Sequence, residues 1–347
     1  MSALFGRNPV LAFLAVAAIS GACAPEAAPP VGENFPILEG PYLGQEMPGP
    51  EPAVFAPGVV STGFPERDLA MTPDGSEIYW GVVGGTFAWS TIMVTRRVDG
   101  VWTRPEVAGC CTNPEYMDLE PHITPDGRRF MWLSDRPGGA SDEIGGQDIW
   151  VMDREGDSWG PPYALSEPVN TADSEYFPST TRDGTLYFTR GPAGGGENLI
   201  YRSRFVNGEY QEPELLPEQV NTGAARYNAF VDPDERFLIL GVVGREDGLG
   251  GTDYYVVFRS EDDRWSDAVN LGPAINTPDT YEYSPYVSPD GRYFFFMTAR
   301  PDWNALAPAG LLTGPTVRSM MDQPDNGAWD VYWVSADFIE ELKPTGF

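Results

Sequence analysis

The sequence predicts an all-β fold assembled from one repeated four-stranded unit. A turn recurs five times with the same apolar run behind it: TPDGSEIYW at 72, TPDGRRFMW at 124, TRDGTLYF at 181, DPDERFLIL at 232 and SPDGRYFFF at 288. The turn aspartates Asp74, Asp126, Asp183, Asp234 and Asp290 lie 51 to 57 residues apart, the spacing of a repeat array. Composition agrees. The 347 residues include 39 glycines and 34 prolines, 13% are aromatic, and no long stretch has helical periodicity, as expected of many short strands joined by turns.

In chain order, Arg7 and the apolar run from Val10 to Ile19 read as an export signal, residues 1–22, too short to span a bilayer. Cys23 sits where a bacterial lipoprotein signal is cut, and the rival cut after Ala24 would leave Pro25 at the new N-terminus. The reading is lipidation at Cys23, with 23–49 a Pro/Ala-rich flexible tether and 50–347 the folded domain. Such a chain is expected in the periplasm or on the outer membrane of a bacterium, held to the membrane only by its anchor.

Within each unit a short strand leads into the turn, as in EPHI (120–123). Proline presets φ at the first corner and glycine takes a left-handed conformation, which is tight-hairpin chemistry. The second strand is apolar on both faces, as in RFMWL or RYFFFM, which fits a strand sandwiched between neighbouring sheets. A Gly-rich loop then leads to a third strand opening on a polar residue: DIWVMD (148–153), NLIYRS (198–203), DYYVVF (253–258) and DVYWVS (330–335). An aromatic and a fourth strand follow in 102–107, 159–171, 210–222 and 265–277. The fifth unit lacks that last strand, and residues 50–62, PEPAVFAPGVVST, match its pattern. The N-terminal strand is therefore expected to complete the last blade and close the ring, removing two exposed sheet edges. Four strands at this repeat length make a β-propeller blade, and the count is five.

The TPDG and SPDG turns with DIW-type third strands resemble the Pro-Asp variant of WD-like repeats found in TolB-type propellers, over about residues 50–338. Members of that family usually have six blades, so the resemblance leaves six as the alternative to the counted five. It implies a binding module or a scaffold for envelope protein complexes, and fold alone does not choose between them.

Charge and composition narrow the chemistry. With 51 acidic and 22 basic residues, a net charge of -29 argues against nucleic acid and anionic membrane surfaces. One lysine, Lys343, and one histidine, His122, leave no core Schiff base and no multi-histidine metal site. A catalytic triad would have to use His122, inside a strand. Cys110 and Cys111 are adjacent, which in an oxidising compartment means a vicinal disulfide or two buried thiols.

Eight residues before each turn aspartate stand Glu66, Asp118, Glu175, Arg226 and Glu282. Equivalent blades would bring them together at the channel mouth opposite the turns, as a ligand-binding ring. The competing reading is that each acid satisfies backbone N–H groups in its own blade-to-blade connection. The sequence thus supports an envelope-anchored, monomeric binding or scaffold propeller for a protein or glycan partner. The alternative is an arabinanase-like glycoside hydrolase using Asp118, Glu175 and Glu282 as mouth carboxylates. The acidic loops 138–148 and 244–253 offer oxygen ligands for calcium, though their spacing matches no known calcium loop, and no other cofactor is indicated.

Overall fold

The computed structural model describes residues 35–140, 145–278, 281–302 and 312–347. The expected export signal, Cys23 and the first part of the expected tether lie outside them.

Residues 37–347 form a five-bladed propeller. From the channel outward, blade 1 holds strands Glu66–Met71, Glu77–Gly84, Trp89–Val98 and Glu106–Val107. Blade 2 holds Asp118–Ile123, Arg129–Ser134, Asp148–Glu155 and Tyr163–Ala164; blade 3 holds Ser174–Thr180, Leu186–Gly191, Leu199–Ser203 and Glu214–Leu215. Blade 4 holds Ala225–Val231, Phe237–Val243, Asp253–Phe258 and Val269–Asn270. Blade 5 runs Tyr286–Val287, Tyr293–Thr298, Asp330–Ser335 and, from the other end of the chain, Ala53–Val54.

Closure follows the expected register, with Ala53 opposite Trp333 and Val54 opposite Tyr332. The Phe55 N–H donates to the Val331 carbonyl at 2.8 Å. Ser61 extends the join, its Oγ donating to the Val331 carbonyl (3.0 Å) and accepting the Val331 N–H (3.1 Å). The six-blade alternative is excluded.

The tether is shorter than its sequence suggests. Trp102 receives the 38–40 segment through hydrogen bonds to the Leu38 and Gly40 carbonyls. Leu43 is buried, and Tyr42 packs against Tyr293 and Trp333 with ring centroids 5.1 and 5.5 Å apart. Residues 38–49 thus strap the outside of blades 5 and 1. Leu43 and Tyr42 supply apolar surface that the Pro/Ala-rich composition of the stretch before them lacks.

Each second and third strand is covered on both faces, so the core is divided among the blade interfaces. Phe294, Phe296, Tyr254 and Val256 fill the layer between blades 4 and 5, and Trp80, Phe55, Phe295 and Trp333 the layer between 5 and 1. This is why those strands read as continuous apolar runs. The expected fourth strands form as pairings of only two residues. The loop of blade 5 also carries a helix, Gly314–Met321, capped by the Thr313 hydroxyl accepting from the Thr316 N–H, that no sequence signal flagged.

The repeated turn has one construction. Asp74, Asp126, Asp183 and Asp290 each accept the hydroxyl two residues before them and the N–H two residues after. Glycine follows with φ between 64° and 89°, the left-handed region. In the fourth unit Glu235 takes this place with φ 59°. Its carboxylate accepts from Tyr187 Oη at 2.5 Å and pairs with Arg259 (3.1 Å) and Arg204 (3.4 Å), which offsets the backbone cost.

Candidate functional site

Glu66 and Asp118 open their inner strands, Glu175 and Arg226 stand second in theirs, and Glu282 lies four residues before Tyr286–Val287, but none of them opens into the mouth. All are essentially buried. Glu66 accepts the Thr62 N–H at 3.1 Å and the Thr62 hydroxyl at 2.5 Å. Glu175 does the same with Thr171 (2.9 and 2.7 Å), and Glu282 with Thr277 (3.0 and 2.8 Å). Each acid clasps the connection arriving from the previous blade. Asp118 is held instead by Trp132 Nε1 (3.0 Å) and Arg136 (2.6 Å). Arg226 reverses the polarity, donating to the Thr222 carbonyl at 3.0 Å and the Gly223 carbonyl at 2.7 Å. Burial raises Glu66 to about 8 and also pushes Asp118 and Glu175 upward.

The ligand-binding ring is therefore corrected to a set of structural clasps, and the proposed catalytic acids Asp118, Glu175 and Glu282 belong to it. The physical reason is the side-chain alternation of a strand. One residue decides whether a side chain faces the connection or the mouth.

The next residue along faces the mouth: Arg67, Leu119, Tyr176, Tyr227 and Tyr283. The one after it, Asp68, Glu120, Phe177, Asn228 or Ser284, has a left-handed backbone in all five blades, with φ from 53° to 85°. In blades 1 to 4 the strand pairing slips at this point, as at a β-bulge. These residues meet at the channel centre. Arg67 donates to Asp68 (2.5 Å), Glu120 (3.1 Å) and Ser284 (3.2 Å). Asn228 Nδ2 reaches Glu120 at 3.3 Å and Ser284 at 3.4 Å, and Glu120 also accepts the Phe177 N–H at 2.7 Å. Burial and the Asp68 charge push the Glu120 carboxyl upward against the opposing pull of Arg67.

Above this polar floor lies a cavity of about 660 Å³, walled by Phe87, Tyr176, Tyr227, Tyr281, Tyr283 and Trp329. It is an aromatic bowl at the mouth where the acidic ring was expected. A signal for it stands in the sequence, because the residue after each ring position is tyrosine in three of five units.

The other end of the channel is tighter. A 230 Å³ cavity there is bordered by the turn prolines Pro73, Pro125, Pro233 and Pro289, with His122 in its wall. His122 Nε2 accepts the Thr180 N–H at 3.0 Å, and burial lowers the ring's pKa to about 3, so His122 is no base.

Cys110 and Cys111 form the vicinal disulfide, in the connection from blade 1 to blade 2. In the 244–253 loop, Asp253 accepts the Leu249 and Gly250 N–H groups, and Asp247 is paired with Arg245 and Tyr255. Those carboxylates serve protein donors, and among the described residues no cluster of three metal-ligating side chains occurs. The 138–148 loop lies partly outside the described residues.

No family model and no curated protein matches the chain. Among solved structures it is similar to TolB from Acinetobacter baumannii, at 16% identity and TM-score 0.43, covering 79% of this chain and 57% of that one. It is also similar to a TolB-like protein from Agrobacterium tumefaciens (13% identity, TM-score 0.45, 78% and 90% covered). A thermostable family-43 glycoside hydrolase matches at 13% identity and TM-score 0.44, with 79% and 89% covered. The chain spans little more than half of the Acinetobacter protein.

Proposed function

We propose that this chain is an exported, lipid-anchored binding module that engages a protein or glycan partner at the cell envelope through the aromatic mouth of its propeller. The observation that carries the reading is the 660 Å³ bowl, whose aromatic walls stand over a floor of fixed polar groups. Concave, mostly apolar sites with a few oriented polar groups are where propellers and other rigid scaffolds take ligands. The mouth is also preorganised. Three of its wall tyrosines, Tyr176, Tyr227 and Tyr283, each follow a clasped residue directly, so little ordering cost falls on binding.

The hydrolase alternative loses its support with the ring. Glycoside cleavage needs one carboxyl able to give a proton and another facing the sugar, and Asp118, Glu175 and Glu282 are occupied by their connections. The test is binding of the full-length protein to arrays of envelope proteins and polysaccharides, with reducing-sugar release measured alongside. Binding lost in Tyr227→Ala without turnover supports the proposal. Binding that persists unchanged in mouth variants would move the site elsewhere.

A further inference from the structure

We infer that the mouth takes a neutral saccharide, with a sugar ring lying flat on the tyrosine and tryptophan faces. This deepens the proposed binding reading and rests on it. The choice among ligand classes comes from charge and from unmet polar groups in the bowl.

A cationic ligand finds its place taken. The Arg67 guanidinium lies 4.7 Å from the Tyr283 ring centroid and 5.9 Å from that of Phe87, the position an incoming ammonium or guanidinium would seek. The same guanidinium pairs with both floor carboxylates, Asp68 and Glu120, so part of their charge is already answered, while the buried Asp68 Oδ1 keeps no hydrogen-bond partner among the described residues. An anionic ligand fares no better. Arg67 is the one cation lining the bowl among the described residues, its N–H groups are directed at Asp68, Glu120, Ser284 and Tyr283, and the chain's net charge of -29 repels anions at long range.

A neutral ligand remains, and the wall says which kind. The Tyr176 and Tyr227 hydroxyls and the Trp329 indole N–H edge the apolar faces and make no hydrogen bond to another described residue. A purely apolar ligand would strip water from these groups and return nothing, at the cost of unsatisfied donors. A sugar offers both surfaces, its C–H face to the aromatic ring and its hydroxyls to the phenol and indole edges. Tyr227 and Tyr283 stand with centroids 6.4 Å apart, and Tyr283 and Trp329 6.0 Å apart, so one ring of ligand can touch successive walls.

The test uses the full-length protein and four probe classes: neutral oligosaccharides (glucan, xylan, arabinan and mannan fragments), oligogalacturonate, an oligolysine peptide and an apolar fluorescent dye. Calorimetry and tryptophan fluorescence read binding. The expected result is binding of at least one neutral oligosaccharide, insensitive to salt, weakened about tenfold or more by Tyr227→Ala and by Trp329→Ala, since each removes an aromatic face on which the ligand stacks. Tyr227→Phe, which keeps the face and removes the hydroxyl, should lose less. Circular dichroism melts keep folding defects apart from binding defects. Binding confined to the oligolysine and falling with salt, or confined to oligogalacturonate or to the dye, overturns the saccharide assignment. So does saccharide binding indifferent to both alanine variants. If an envelope protein binds instead, and loses affinity in the same variants, the saccharide falls while the binding-module reading stands. If nothing tested binds at the mouth, both fall.

Discussion

The junction between blades 4 and 5 and the junction between blades 1 and 2 perform the same task with different chemistry. At the first, Asn276 bonds the Tyr254 N–H and carbonyl of the third strand at 2.8 and 3.0 Å, and Thr277 clasps Glu282 of the next blade. Asn170 and Asn221 repeat this against Ile149 and Ile200. At the 1–2 junction neither the asparagine nor the threonine is in place. The Cys110–Cys111 turn stands there, the Thr91 hydroxyl donates to the Cys111 carbonyl, and Arg136 bridges the Cys110 carbonyl to Asp118. The contrast shows that a buried charged residue ahead of each inner strand ties it to the arriving connection, an acid in four blades and Arg226 in blade 4. At Asp118, where the threonine clasp is missing, Arg136 makes the link to the connection, whereas at Glu175 the clasp and Arg190 (2.7 Å) act together.

Arg136→Met should break the variant junction hardest. It leaves Asp118, fully buried, with the Trp132 indole N–H and the Ser134 hydroxyl, and removing one partner of a buried pair costs about 3–5 kcal/mol. Urea unfolding measures it, and Asp118→Asn in the same background should recover part of the loss. A loss below 1 kcal/mol would show that the junction does not depend on the pair. The matching break at the regular junction is Asn276→Ala. It strands the buried N–H of Tyr254, whose carbonyl keeps the Leu271 N–H, for about 2 kcal/mol. The Asn113 side chain at the variant junction accepts the exposed Glu115 N–H instead, and Asn113→Ala should cost much less.

Protonation sharpens the same contrast. Glu66, at the 5–1 junction, has its pKa raised from 4.5 to about 8, chiefly by burial. A carboxyl whose folded pKa is raised contributes stability that is complete below about pH 4.5 and lost as pH climbs through 8. Melting temperature should therefore fall across that window, and Glu66→Gln should flatten the fall. A melting temperature that rises across it, with Glu66→Gln unchanged from the parent, would contradict the assignment.

Glu235→Gly removes a left-handed side chain, which alone would gain about 1 kcal/mol. It also removes a carboxylate shared by Tyr187, Arg204 and Arg259. Net destabilisation is expected, so a higher melting temperature would show backbone strain to outweigh the ion pairs. The smallest effect belongs to Cys110→Ala with Cys111→Ala. A bridge between neighbours closes almost no loop and so constrains the unfolded chain little. A loss of less than about 1 kcal/mol is expected, and the reduced parent should melt close to this variant.

The fold was legible because its signals are redundant. Five Pro-Asp-Gly-type turns and five doubly apolar strands say the same thing, and residues 50–62 carry the pattern the fifth unit lacks. The site was legible only in height along the channel. Acids repeating at one position located the correct mouth, but direction hangs on a single residue of strand alternation. The decisive clue was the asparagine–threonine pair at 170–171, 221–222 and 276–277, whose threonines take up Glu175 and Glu282 and, through the Thr222 carbonyl, Arg226. The mouth tyrosines passed unnoticed because a lone aromatic within a strand reads the same whether it faces a neighbouring blade or solvent. The helix Gly314–Met321 has no counterpart in the other four units, so the repeat gave no warning of it.

The seam at Ala53–Val54 also fixes an order of events in the making of the protein. Its partner, Asp330–Ser335, is made only after every strand of the other four blades. Until then the first-made strand has nowhere to go, and four blades must wait as an open arc with bare edges at both ends. Joining residues nearly 280 positions apart adds the search cost of a long loop to the final step. The assembling chain spends that interval as an unclosed arc whose edges invite pairing with other strands, so a holding chaperone would matter most just before Asp330–Ser335 is made.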